Sequence, residues 1–338
     1  MKKSILALSL LGAFSGAAFA QSSVTIYGVA DVGVQGTSTG SSKTAKVTSG
    51  QEGGSRLGFK GTEDLGGGLK ANFVLEQGVL MDTGASDQGG RTFGRTTLVG
   101  LSGDFGSINI GRDKTTTLKF FDKYDPFGSA LVNNGNGTRA LYFVAGKTAQ
   151  DTNGRVSNAI FYNTTDLSGF TANVSYAAGE KAGDNSGERS VGLTVNYKVD
   201  ALEVGYNYAK DNAAVAFNPS AHTLAAAYDF GVAKPVVIYQ KQKADNGTDR
   251  KAFTLAVSVP VTATGKVLAG FTKVNESGDK GAKQFNIGYV HGLSKRTDLY
   301  TAYAYSTQES KSNIVGTQFG GVNGQKVNEL TAGIQHRF

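Results

Sequence analysis

The 338-residue chain has no cysteine and no tryptophan, only four prolines and three histidines, and no apolar run beyond its first residues. Without cysteine there is no disulfide framework and no thiolate chemistry. A membrane-spanning helix needs roughly 20 consecutive apolar residues, which no later stretch approaches. Any residence in a bilayer must therefore take the form of a closed barrel, whose backbone hydrogen bonds are all satisfied internally. The histidines are His222, His291 and His336; neither His336, on the apolar face of the last alternating segment, nor His291, beside a turn, suggests a base poised next to a serine. No His/Cys cluster has metal-ligand spacing, and Gly66-Gly-Gly68 lacks the Lys-Ser/Thr of a phosphate-binding loop. Glu63 and Asp64 read as rim and turn residues rather than an acid/base pair. No catalytic residue, metal or cofactor is expected, and an enzyme is disfavoured.

What the chain does have is glycine, 47 of them, with 14 tyrosines and 19 phenylalanines. That describes a turn-rich all-β protein with aromatic material to spare. A mean hydropathy of -0.21 is that of a soluble protein, or of a barrel whose lumen positions are polar. Lys2 and Lys3, the apolar stretch Ile5 to Phe14, and Ala18-Phe-Ala20 before Gln21 read as a cleaved signal peptide over 1–20, which leaves 21–338 as one domain. The whole chain carries +7; without Lys2 and Lys3 the mature chain would carry +5. Such an excess suits acidic lipid, nucleic acid or anionic solutes, and only the placement of the charges can decide.

Period-two segments recur along the chain, among them Phe170-Thr-Ala-Asn-Val-Ser-Tyr176, Leu202-Glu-Val-Gly-Tyr-Asn-Tyr208 and Phe253-Thr-Leu-Ala-Val-Ser-Val259. In the last ten residues Leu330, Ala332, Ile334, His336 and Phe338 share one face, and Glu329, Thr331, Gln335 and Arg337 the other. Sixteen strands are expected. Seven tight turns, such as 64–68, 103–106 and 292–297, alternate with eight longer polar loops. Both termini then fall on the short-turn side, as in a sixteen-stranded antiparallel transmembrane β-barrel with short periplasmic turns and long external loops. A secreted β-sandwich would show similar alternation, but no strand set here looks like a shielding second sheet. Tyr197, Tyr206, Tyr208, Tyr228 and Tyr289 are candidates for an interfacial girdle.

Several stretches resemble the Gram-negative general porins of the trimeric, sixteen-stranded beta-proteobacterial type. They are Ser23-Val-Thr-Ile-Tyr-Gly-Val-Ala-Asp31, Ser55-Arg-Leu-Gly-Phe-Lys-Gly-Thr-Glu-Asp-Leu-Gly-Gly-Gly-Leu-Lys-Ala71, Val99-Gly-Leu-Ser-Gly-Asp-Phe-Gly-Ser107, Ile110-Gly-Arg112, Arg155-Val-Ser-Asn-Ala-Ile-Phe-Tyr162 and the terminal Phe338. The resemblance implies a homotrimer in the outer membrane, in contact with its lipid and lipopolysaccharide, and no nucleic-acid partner. Each subunit would hold a water-filled pore for small hydrophilic solutes and inorganic anions, narrowed by an inward-folded third external loop. That loop corresponds to the longest connection, 114–154, with its aromatic-rich Lys119-Phe-Phe-Asp-Lys-Tyr-Asp-Pro-Phe-Gly128. An adhesin using the loops at 211–221 and 307–328 is the third functional class considered.

Parity nominates the pore residues. Leu57 and Phe59 on the lipid face send Arg56 and Lys60 inward, since a lipid-facing arginine at the bilayer midplane costs about 2 to 4 kcal/mol. Outward Val156, Ile160 and Tyr162 imply an inward Arg155, and an outward Leu98 implies an inward Arg95. The resemblance points to the same arginines as a basic constriction wall. Glu76, inward on the strand of Leu69, Ala71, Phe73 and Leu75, would relieve repulsion among them. Asp122 and Asp125 are the candidate acidic wall on the loop, although lysines and arginines outnumber acids there, which makes cation selectivity doubtful. Rings of arginine and lysine favour anions.

Overall fold

The computed structural model describes residues 23–40, 42–128, 131, 154–179, 182–183, 189–212, 219–312 and 323–338. The expected signal peptide and most of the connection after residue 128 lie outside these. The strands are β1 (Ser23–Thr39), β2 (Ser42–Ser49), β3 (Arg56–Gly66), β4 (Leu69–Gly78), β5 (Thr96–Gly103), β6 (Gly106–Lys114), β7 (Arg155–Asn163), β8 (Phe170–Ala177) and β9 (Ser190–Val199). They continue as β10 (Leu202–Asp211), β11 (Ser220–Tyr228), β12 (Lys234–Lys243), β13 (Asp249–Pro260), β14 (Gly265–Glu276), β15 (Ala282–Gly292), β16 (Thr297–Gln308) and β17 (Val327–Arg337). Among the described residues a single irregular helical turn, Asp87–Gly90, and one full helix, α1 (Thr116–Tyr124), interrupt the series.

Every pairing is antiparallel; apart from β1 with β3, strands pair with their sequence neighbours, and β1 closes on β17 from Val29↔Arg337 to Thr39↔Val327. Seventeen segments make sixteen positions around the barrel, because β2 and β3 share one: β2 pairs with the upper half of β1 (Val32↔Ser49 to Thr39↔Ser42) and β3 with its lower half (Ser23↔Thr62 to Val29↔Arg56). The first external loop of the sequence reading is thus largely a hairpin. The sixth and seventh long loops are likewise mostly strand, leaving only 244–248 and 277–281 between paired ends.

Faces follow the two-residue period. Val24 and Ile26 of β1 are exposed outward, and the paired Phe59 shares their side; Leu330 and Ile334 of β17 also face out. Tyr197, Tyr206, Tyr208, Tyr228 and Tyr289 all lie on outward faces. Between β2 and β3 the chain makes a short excursion, pinned by one buried carboxylate. The backbone N–H groups of Gln51, Glu52 and Gly53 donate to Asp31 at 3.1, 2.9 and 2.8 Å. Tyr300 Oη and Gln335 Nε2 donate to the same carboxylate at 2.7 and 3.0 Å. Five donors on a fully buried anion satisfy it without a counter-cation and hold the excursion to the wall.

Candidate pore constriction

Below the excursion the chain enters β3 at Arg56, whose Nη1 donates to the Gly54 carbonyl at 2.9 Å. Asp31 therefore sets the position of Arg56 through the backbone of 51–55. Glu76, opposite Gly58 on the inner face of β4, receives three neighbours. Arg95 Nε donates to its Oε1 at 2.7 Å, Tyr27 Oη donates to Oε2 at 2.9 Å, and Arg56 Nε stands 3.7 Å from Oε2. Arg155 Nε donates to the Arg95 carbonyl at 2.9 Å. Arg56, Glu76, Arg95 and Arg155 thus form one connected run across β3 to β7. Lys60 lies on the same inner face, its Nζ 5.3 Å from the Tyr27 ring centre.

Access to solvent differs within the run. The Arg56 side chain keeps 28% of its surface exposed and that of Arg95 7%; Arg155 as a whole residue keeps 4%. Two further basic residues that parity did not single out join the wall. Arg112 donates to the Gly94 carbonyl (Nε, 2.7 Å) and to Ser157 Oγ (Nη1, 2.8 Å), and Lys114 pairs with Asp122 at 2.6 Å.

Two steps of the parity argument need correction. Leu98 pairs with Val74 and Gly111 on the inner face and packs toward Val156, Ala159, Phe161 and Ala177; the outward residues of β5 are Val99 and Leu101. Val156 is buried in that same inner cluster rather than facing lipid. The cause is a paired irregularity: Gly111 at φ +135° and Asn158 at φ +55° interrupt the ladder, so the period-two count fails across Ser157. Arg95 precedes its strand, and its inward course comes from the turn before β5 and the Glu76 contact rather than from alternation.

The facing side is built by α1. Thr115 caps it, accepting from Leu118 N at 3.2 Å. Leu118, Phe120, Phe121 and Tyr124 then bury one face, while Lys119, Asp122 and Lys123 occupy the other at helical spacing. The buried face and the following Phe127 and Leu131 rest on inner-wall Ala225, Ala227, Val236, Ile238, Leu268 and Val290. Room for these rings comes from missing side chains. A Cβ at Gly205 would lie 2.6 Å from Tyr124 Oη and 2.8 Å from Phe120 Cε2, and one at Gly270 would lie 3.2 Å from Phe127. Polar pins add to the seat: Thr117 Oγ1 donates to Asn207 Oδ1 at 2.9 Å, and Tyr124 Oη to Asn196 Oδ1 at 3.1 Å. Burial, with the Glu203 carboxylate adding to it, raises the Tyr124 phenol above its ordinary range, so it remains a neutral donor.

The two acids nominated on the loop have different surroundings. Asp122 is partly exposed and neutralised by Lys114. Asp125 is buried at the end of α1, where its Oδ1 accepts from Phe127 N at 3.0 Å; it holds the chain turn and does not form an acidic wall. Lys119 pairs with Asp113 at 2.7 Å, and Lys123 lies 3.8 Å from Glu203.

A closed sixteen-position antiparallel barrel with a loop seated inside it defines a porin, and the sequence comparison agrees. Residues 7–311 match the Gram-negative porin family model, and the chain belongs to that family. It is 38% identical over the full length of both chains to outer membrane porin protein 32 of Delftia acidovorans, and 30% identical, again over both full lengths, to major outer membrane protein P.IB of Neisseria meningitidis serogroup B. Among solved structures it resembles an anion-selective porin from Comamonas acidovorans (33% identity, TM-score 0.79, covering 94% of this chain and 100% of that one). The fold is shared with OmpT of Vibrio cholerae in its trimer form (16% identity, TM-score 0.68, covering 94% and 99%). The protein is a channel of the Gram-negative outer membrane, crossing it as a multi-pass β-barrel for passive diffusion.

Proposed function

We propose that this porin passes small hydrophilic solutes with a preference for anions, and that the wall formed by Arg56, Arg95, Arg155 and Lys60 sets the preference. The observation that carries this reading is the excess of cations along one wall. Arg56, Arg95, Arg112, Arg155, Lys60 and Lys114 gather there with Glu76 and Asp113, while Lys119 and Asp122 of the facing helix reach across to Asp113 and Lys114 and cancel each other in charge. Guanidinium groups stay charged at any working pH, so the potential persists near neutrality. At physiological salt the Debye length is about 8 Å, so fixed charges still act on an ion in a narrow opening. Glu76 compensates and positions; Asp122 trims the charge of Lys114.

The same reading takes the protein as a homotrimer in contact with outer-membrane lipid and lipopolysaccharide, with residues 1–20 removed on export. The anion selectivity named for the Comamonas porin supports the sign of the preference, and the trimer form of OmpT supports the assembly. The test is the zero-current potential of the purified protein in a planar bilayer under a KCl gradient. An anion-selective potential that weakens when Arg56 is neutralised is expected; a conducting channel with no selectivity would overturn the arginine mechanism while leaving the porin.

A further inference from the structure

On the outer surface, the end of the barrel away from the chain termini is not uniform. Along β12 to β15 the apolar faces stop at an outward aromatic row, Tyr239, Phe253, Phe271 and Phe285, the last two with ring centres 4.7 Å apart. One step further from the termini, on the same outward parity, stand Lys241, Lys251, Lys273 and Lys283. Lys241 lies directly opposite Lys251, and Lys273 directly opposite Lys283. His222 continues the row on β11, opposite Lys241, with its Nδ1 2.8 Å from Tyr206 Oη. Like charges facing each other across a ladder destabilise it. Among the described residues none of the four lysines has a carboxylate within ion-pair distance. The outward faces of β1, β4, β5, β8 and β9 carry no lysine or arginine. Lys43 on β2 and Lys210 on β10 also stand on outward parity, but only in the arc of β12 to β15 do lysines face each other across the ladder, one step beyond the aromatic row.

We propose that this arc binds phosphate-bearing headgroups of outer-leaflet lipids, with their acyl chains lying along the aromatic row below. Charge complementarity and depth both select this occupant: a phosphate between Lys241 and Lys251, or between Lys273 and Lys283, cancels a repulsion that the isolated barrel retains, and only a lipid supplies phosphate directly above an apolar wall. The proposal rests on the outer-membrane reading and names the lipid site within it.

The test is native mass spectrometry of the full-length protein with bis-phosphorylated lipid A, with dephosphorylated lipid A and with inorganic phosphate, alongside planar-bilayer conductance. Wild-type protein is expected to retain bis-phosphorylated lipid A at least tenfold better than the dephosphorylated form. The K241Q/K251Q/K273Q/K283Q variant is expected to lose that preference with conductance and reversal potential unchanged, and the corresponding four-arginine variant to keep it. Should the quadruple glutamine variant not fold, Lys251→Gln and Lys273→Gln, each breaking one facing pair, are each expected to lose part of the preference. Equal retention by wild type and glutamine variant, or inorganic phosphate displacing the lipid at equal concentration, would overturn the site. An absence of wild-type conductance would instead count against the channel reading, since lipid retention is scored separately.

Discussion

The inner wall of β3 to β7 and the inner wall of β9 to β15 face the same lumen, and they are made of opposite materials. The first is a run of guanidinium groups tied by Glu76 and by the Arg95 carbonyl. The second is largely small residues, Gly205, Ala225, Ala227 and Gly270, filled by the rings of α1 and the segment after it. One side sets the sign of the potential and the other sets the width of the opening. The difference lets gauge and selectivity be probed apart, because Gly205, Ala225, Ala227 and Gly270 of the seat carry no charge.

The largest effect should come from emptying the seat. Gly205→Leu places branched carbon where Tyr124 and Phe120 already stand, so α1 must leave its site. Losing the burial of a single phenylalanine costs about 3 to 5 kcal/mol, more than the polar pins can restore. Single-channel conductance should rise severalfold, with the anion preference weakened but of the same sign because the arginine wall is untouched. Unchanged conductance would mean that α1 does not limit the opening.

Asp31→Asn should come next. It replaces an anion held by five donors, and each charge-assisted hydrogen bond contributes about 1.5 to 3 kcal/mol, so the thermal unfolding midpoint should fall clearly. The reversal potential should shift as well, since the excursion that positions Arg56 loses its clamp. A stable variant with unaltered selectivity would disconnect Asp31 from the site.

Within the charged wall, the arginines should rank by contact with the open lumen. Arg56→Gln is expected to weaken the anion-selective potential more than Arg155→Gln, because the Arg56 side chain is 28% exposed while Arg155 is 4% exposed. The Arg155 change should instead appear as lost stability, through the unpaired Arg95 carbonyl. Parallel bilayer and melting measurements would expose a reversed ranking.

The sequence reading was strongest where the ladder is regular. On β3, β4 and β17 alternation alone separates lumen from lipid, and the short connections, with their Gly, Asp and Ser, mark one end of the barrel. It failed across 95–98 and 155–158, because a positive φ at Asn158 and a bulge at Gly111 follow no local pattern that parity can register. For Arg155 the outward references Ile160 and Tyr162 hold and Val156 does not, because the bulge lies between them; for Arg95 the reference Leu98 points inward. The excursion at 50–55 was hidden for a different reason: its carboxylate, Asp31, lies about twenty residues earlier and reads as one more polar lumen position. The seat of α1 does have a signal in the sequence. The inner faces of β10 and β11 include Gly205, Ala225 and Ala227 beside the polar Asn207 and Thr223, and small apolar residues at positions where a water-filled lumen calls for polar ones announce something packed against them.

The smallest expected effect distinguishes the two loop acids. Asp122→Asn leaves Lys114 without its partner, adding one positive charge at a position that is 32% exposed. The anion preference should rise slightly, and the rise should shrink between 0.15 M and 1 M salt as the Debye length falls from about 8 to about 3 Å. Asp125→Ala removes the acceptor for Phe127 N instead, a loss of about 1 kcal/mol that loosens the turn after α1. Its carboxylate is buried away from the opening, so the reversal potential should stay where it is at every salt concentration. If both variants moved the potential equally, Asp125 would be acting on the permeating ion through the loop's dielectric, and the separation of charge on one wall from packing on the other would have to be given up at this end of the helix.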